Sequence, residues 1–372
     1  MIRPSEITLA CILAVSLSLP CAAARAASPV SFAQDIRPVL SDKCFACHGP
    51  DENAREADLR LDVRDEAIAS GGLIPGDADE SELLRRIVSD DEDLRMPPLH
   101  TQKEISPHEI ELIRRWISEG AEYETHWAYR PLVRPAIPVV KHKRNASEID
   151  AFLLRDLIDQ QLDFSPRADR VTLIRRLYLD LLGVPPAPDE VDDFGSDESP
   201  TAWEDLVDRL LKDRRFGERM AVYWLDLVRY ADTIGYHSDT YMEVSAYRDY
   251  VIAAFNDNKP FDQFTVEQLA GDLLPAPTQS QLIASGYNRL LQTTEEGGAQ
   301  AKEYEAIYAA DRVRNVAGVW MGATMGCAQC HDHKYDPMTT RDFYSLAAFF
   351  SDIKENAVGK RKPNLMVYTE QD

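Results

Sequence analysis

Cys44, Cys47 and His48 stand together in the stretch CFACHGP, and Cys327, Cys330 and His331 repeat the same CxxCH order in CAQCHDHKYDP. Cysteines three positions apart share one face of a helical turn, and a histidine directly after the second can reach a metal held beside them. That spacing is the attachment signature of a c-type haem: the two sulfurs bond the porphyrin and the histidine takes one axial position on the iron. The same residue types also serve as a CxxC redox pair or as half of a zinc site. A zinc site at the first motif would need a second pair of ligands, and none stands before His100.

The segments flanking the first motif have the patterns needed to hold it. In SFAQDIRPVLSDKC, Phe32, Ile36, Val39 and Leu40 recur at helical spacing, which predicts an amphipathic helix closed by the pentapeptide. Downstream, SPHEIELIRRWISEGAEY opens as a capping box, with Ser106 at the cap, Pro107 at the first helical position and Glu109 three residues after the serine. Its apolar stripe of Ile110, Ile113, Trp116 and Ile117 calls for a partner, and the first helix is the natural one. Between the two lies DLRMPPLH, where Met96 precedes prolines that bar a helix and bias the methionine toward an extended backbone. A thioether on such a stiff loop suits the second axial position, and a His/Met pair raises the reduction potential. His100 is the runner-up ligand, and a core methionine is the plain alternative.

The second motif is predicted to follow a helix and to lead, through an Asp336-Pro337 turn, into another helix with Phe343, Leu346, Ala347 and Phe350 on one face. With haem bound, Cys327 and Cys330 are the thioethers and His331 the proximal ligand. His333 is too near in sequence to reach the far side of the ring, so a distal ligand would come from elsewhere, such as His237 in TIGYHSDTY or Met242. A five-coordinate iron is equally allowed and favours chemistry over electron transfer. The tail HDHKYD supports a competing non-haem metal site, built from Cys327, Cys330, His331 and His333 with Asp332 or Asp336. A dithiol is a third reading. Asp232, Asp239, Asp262, Asp272, Glu295 and Glu296 stand in loop-like stretches such as TTEEGGAQ, where carboxylates serve acid/base work or bind calcium. In so acidic a chain most such side chains are solvated surface or helix caps. No G-x-S-x-G, P-loop or dinucleotide fingerprint occurs.

At 372 residues the chain is long enough for two domains. Its 63 acidic against 41 basic side chains give a net charge of −22, which repels phosphate backbones and argues against a nucleic-acid partner. Residues 1–27 read as a secretory signal peptide, with Arg3 in a polar start, an apolar run from Ile7 to Leu19 and small residues ending in Ala24-Arg25-Ala26. Cys21 lacks the small preceding residue of a lipidated cysteine. Cleavage near Ala26 removes Cys11 and Cys21, and the cysteines that remain all lie in the two motifs, leaving none for a disulfide framework in an oxidising compartment. Beyond the signal, no apolar run approaches the roughly 18 residues of a membrane span.

A mainly α fold is expected: a small cytochrome c-like helical domain at 28–123, a proline-rich linker at 124–147, a larger predominantly α-helical domain at 148–355 and a tail at 356–372. Pro131, Pro135 and Pro138 stiffen the linker. In the larger domain, DRVTLIRRLYLDLLG ends in Gly183 as a C-cap before VPPAP, and AWEDLVDRLLKDRRFGERMAVYWLDLVRYADT continues the helical period.

Residues 32–122, with CFACHGPD, LRLD and RMPPL, resemble the planctomycete cytochrome c domain. The resemblance implies covalent haem c, with Cys44 and Cys47 as attachment sites, His48 as proximal ligand and Met96 as distal ligand. The segment from about Arg144 to Phe350, with TLIRRLYLDLLGVPP, YWLDLVRYADTIGY, FNDNKPFDQFTVEQLAGDLLP and CAQCHDHKYDP, resembles the domain of unknown function that usually follows it. That family has no settled activity. Together these features point to an exported c-type cytochrome, in the periplasm or at the cell surface, that carries two haems and exchanges electrons with redox partner proteins. The alternative is an oxidoreductase whose larger domain holds a haem- or metal-dependent active site and uses the first domain as its electron-transfer module.

Overall fold

The computed structural model describes residues 29–361 except 53, 126 and 237–239. The signal-peptide reading with Cys11 and Cys21, the candidates His237 and Asp239, and the tail beyond residue 361 lie outside the described residues. The chain divides into two compact units, one ending at Arg130 and the other beginning at Pro131. Both are helical, as the residue patterns predict. The one sheet among the described residues pairs two short antiparallel strands, β1 (Thr233–Ile234) and β2 (Thr240–Tyr241). No helix among the described residues is long and apolar enough to cross a membrane.

In the first unit, Ser31 caps a wide helical turn at Phe32–Ile36 that runs into α1 (Arg37–Lys43), and Pro38 sits in the first turn of α1, where a missing N–H costs nothing. Short helices α2 (Phe45–His48), α3 (Arg64–Ala69) and α4 (Glu82–Ile87) follow, and α5 (Pro107–Ser118) closes the unit. The first segment and α5 meet as their stripes require. Phe32 stacks on Trp116 with ring centroids 5.6 Å apart and on Tyr123 at 4.0 Å. Ile36, Leu40, Leu73, Leu84, Ile113 and Ile117 are buried around them, each worth about 1.5–3 kcal/mol of transfer free energy. Two polar ends in this core are satisfied: Trp116 Nε1 donates to the Glu122 carbonyl at 3.1 Å, and the Tyr123 hydroxyl donates to the Leu61 carbonyl at 2.8 Å.

The capping box on α5 is formed in both directions. Ser106 Oγ accepts from Glu109 N at 3.3 Å, and Glu109 Oε2 accepts from Ser106 N at 2.6 Å. Ser106→Ala leaves the Glu109 amide to water and is expected to cost about 1 kcal/mol, read as a lowered denaturant midpoint with unchanged slope.

The second unit is built from α6 (Glu148–Asp159), α7 (Arg170–Leu181), α8 (Pro188–Ser196), α9 (Ala202–Leu211), α10 (Arg214–Leu227), α11 (Ser245–Asn256), α12 (Phe261–Ala270), α13 (Gln279–Ala284), α14 (Ala301–Val316) and α15 (Thr340–Ala348). Gly183 follows α7 at a φ of +74°, in the left-handed region, and its N–H reaches back to the Tyr178 carbonyl. The helical period that begins at Ala202 is carried by two helices, α9 and α10. Asp213 interrupts it, accepting from the Arg215 amide at 2.9 Å as the N-cap of α10. One aromatic core joins α10, α11 and α12 through Trp224, Tyr247, Tyr250 and Phe264, and a second, smaller one joins α14 to α15 through Val313, Ala328, Met338 and Phe343.

Candidate functional site

Cys44 stands at the joint between α1 and α2, with a φ of −123°. Its amide donates to the Leu40 carbonyl at 2.8 Å, and its carbonyl accepts from Cys47 N and His48 N at 3.1 and 2.8 Å. The two cysteines and the histidine thus share a single helical turn. Gly49 lets the chain fold away at once: a Cβ there would lie 2.4 Å from the Phe45 carbonyl oxygen. The chain then returns, with Leu61 N donating to the His48 carbonyl at 2.9 Å and Arg55 bonding the Gly49 and Pro50 carbonyls.

Both thiols are free. Cys44 packs against the first unit's core, where burial pushes its thiol up to about 12, while Cys47 is exposed. His48 is half-buried, and its Nδ1 is buried without a hydrogen-bond partner. Desolvation pulls its pKa below the ordinary value; the Glu56 backbone opposes this and the Arg86 guanidinium adds to it. The ring is therefore neutral at neutral pH, the form that ligates iron.

Arg86 also anchors the other candidate ligand, since its carbonyl accepts from Met96 N at 3.0 Å. Met96 is half-buried, joined to buried Pro97 by a cis peptide bond, whereas His100 is exposed in the turn Leu99–Thr101. Two free thiols one turn apart, a half-buried histidine directly after them and a half-buried thioether are residue types that fit a covalent haem.

The second motif is held differently. After α14 and a wide turn at Ala317–Met321, Gly322 reverses the chain into a tight turn at Met325–Gln329. Met325 and Ala328 point into the core shared with α15, which leaves Cys327, Cys330 and His331 exposed. Gln329 clamps the loop: its amide oxygen accepts from Arg314, and its carbonyl accepts from the Tyr344 hydroxyl at 3.1 Å. His331 Nδ1 lies 2.8 Å from the Asp332 carbonyl, so a proton on Nδ1 leaves Nε2 as the ring's acceptor, the tautomer that binds a metal. Both thiols are free here too, and the donor set fits haem.

His333 has another role in the structure. Its side chain is 7% exposed, and its Nδ1 accepts from the amides of Asp336 and Tyr335, stapling the Asp336-Pro337 turn. Among the described residues no three His, Cys, Asp or Glu side chains gather to hold a metal ion. Asp232, Asp262, Asp272, Glu295 and Glu296 are exposed, and Met242 is half-buried beside β2, its amide bonded to the Asp232 carbonyl.

Sequence reasoning missed a buried carboxylate. Glu267 of α12 is 2% exposed and accepts from Lys259, from the Tyr250 hydroxyl at 2.8 Å and from Gln263 at 2.9 Å. The signal was available, because a charge on the apolar face of an amphipathic helix must find partners.

Residues 44–100 match the family model described as planctomycete cytochrome C. Residues 148–355 match the model described as a protein of unknown function, DUF1549. No curated protein and no solved structure matches the chain. The cytochrome family carries covalent haem c, in keeping with the free thiols and neutral histidine at residues 44–48. The match over 148–355 spans more than half of the 372 residues, and with the cytochrome segment ahead of it the chain belongs to the DUF1549 family.

Proposed function

We propose that the protein is an exported c-type cytochrome that binds two haems covalently and passes electrons to redox partner proteins. The observation that carries the reading is the turn Cys44–His48: two free thiols three positions apart, followed directly by a half-buried imidazole beside the first unit's core. Haem c, when bound, supplies reversible one-electron exchange at its iron. Cys44 and Cys47 hold the first haem, His48 and Met96 ligate its iron, and the surrounding core of Phe32, Leu40 and Trp116 keeps water from that side. Cys327, Cys330 and His331 hold the second on an exposed loop, where a partner can approach closely, so the second motif is the port for exchange with other proteins. The boundaries at 28–123, 124–147 and 148–355 belong to the same proposal, as does export through residues 1–27.

The test counts haems. A pyridine haemochrome assay with intact mass is expected to find two covalent haems per chain in the wild type and one in Cys327→Ala/Cys330→Ala. A wild-type chain with one haem and bound zinc would remove the second site from the reading.

A further inference from the structure

Residues 125–147 hold no aspartate or glutamate, in a chain where these number 63 of 372, yet they hold Arg130, Arg134, Lys141, Lys143 and Arg144. Where this stretch opens the second unit it is an apolar strap. Leu132 is fully exposed, Val133 and Val139 are 83% and 95% exposed, and Ile137 is 42% exposed. Single exposed apolar side chains are ordinary on a protein surface, but four within eight residues form a patch that calls for a partner.

Charge narrows the choice of partner. Arg134 pairs with Glu148 at 2.8 Å, and Arg144 is held by Asp163 at 2.7 Å and by the Phe164 and Ser165 carbonyls. Lys141 and Lys143 are exposed and make no ion pair among the described residues. Past the strap the chemistry changes, because the exposed Ile149 and Leu153 of α6 are interleaved with Glu148, Asp156 and Asp159. Free ammonium groups beside exposed aliphatic side chains complement a surface that is anionic and apolar at once.

The backbone narrows it further. Pro131, Pro135 and Pro138 bar a helix, and Leu132 to Val139 lie in no helix or strand and make no main-chain hydrogen bond among the described residues. A protein partner would need a groove of fixed shape to match these separate side chains. A bilayer interface is fluid, takes aliphatic side chains at any spacing and offers phosphates to lysines. The unbonded amides set the depth: they need water, so the strap lies among headgroups and not in hydrocarbon.

We propose that the strap from Leu132 to Lys143 seats the second unit on an anionic phospholipid surface, with Leu132, Val133, Ile137 and Val139 at the acyl boundary and Lys141 and Lys143 on lipid phosphates. Charges more than about 8 Å away are screened at physiological ionic strength, so the strap's own sign governs contact despite the net charge of −22. The proposal makes no use of haem at either motif.

Flotation of the exported chain with vesicles of phosphatidylglycerol and phosphatidylcholine in equal parts is the test. Binding is expected, and it should be at least about tenfold weaker with phosphatidylcholine alone. Leu132→Ser/Val133→Ser/Val139→Ser and Lys141→Glu/Lys143→Glu should each lower the partition coefficient at least about tenfold, with wild-type circular dichroism and denaturant midpoint. Val222→Ser/Leu227→Ser, at α10 positions 56% and 51% exposed, should bind as wild type. Residues 1–27 are the same in every variant, so a loss confined to the strap changes locates the contact there. A wild-type chain that does not float with the mixed vesicles overturns the proposal, and so does a serine variant that floats as well as wild type. Equal binding to both vesicle types overturns the role of the lysines. A wild-type dimer in sedimentation velocity that the serine variant dissolves, without flotation, makes the strap an interface between copies and overturns the lipid assignment.

Discussion

Alanine at both Cys44 and Cys47 is expected to remove one covalent haem and to destabilise the first unit by at least about 3 kcal/mol, the scale of emptying a core position. The same pair of changes at Cys327 and Cys330 should remove one haem while costing the second unit under about 1 kcal/mol, as surface substitutions do. The asymmetry follows from burial. Cys44 packs against the first unit's core and His48 is half-buried beside it, so a haem held there would be part of a core. Cys327 and Cys330 are exposed, and the residues that fold their loop are Met325, Ala328 and Gln329 instead. Haem content and separate denaturant transitions for the two units check both halves. Equal destabilisation by the two double variants would contradict it.

Glu267→Ala is expected to cost about 3–5 kcal/mol, because removing one member of a buried ion pair strands the other. Lys259 keeps a charge with a side chain 19% exposed, and the Tyr250 hydroxyl and Gln263 amide lose their acceptor. Glu267→Gln keeps the shape and some of the hydrogen bonds and should lose less. The pH dependence has a definite sign. The folded carboxyl titrates below its unfolded value, so between the two the unfolded chain binds more protons. The stability Glu267 contributes is present above the ordinary carboxylate range, about 4.3, and is lost as the pH falls through the folded value. Acid titration of the second unit's stability should therefore be shallower in Glu267→Gln than in wild type. An identical acid limb in both would show that the carboxylate is not ionised in the fold.

Much of the architecture was legible because it rests on local rules. The Ser106–Glu109 box, Pro107 and the Ile113–Trp116–Ile117 stripe act within one or two turns, and all appear as read. So does Gly183, whose left-handed backbone follows from the prolines beyond it. The helical period from Ala202 onward is likewise present, and only the Asp213 side chain, as the N-cap of α10, shows where it divides into two helices. Glu267 went unread for a related reason: its partners Lys259, Tyr250 and Gln263 come from two helices and the loop between them, and only Gln263 stands at a helical spacing.

By itself the sequence determined that this is a helical chain with two CxxCH motifs, the first set between an amphipathic helix and a capped one, since spacing and capping are properties of neighbours along the chain. It could not tell the two motifs apart in environment, because the pentapeptides are locally alike. Only the tertiary structure decided that His48 is desolvated beside a packed core while His331 stands in water, and that the His333 ring staples the Asp336-Pro337 turn. Burial is set by what distant segments cover, here α4 and α5 in the core beside the first motif, and no such cover reaches Cys327, Cys330 and His331 among the described residues.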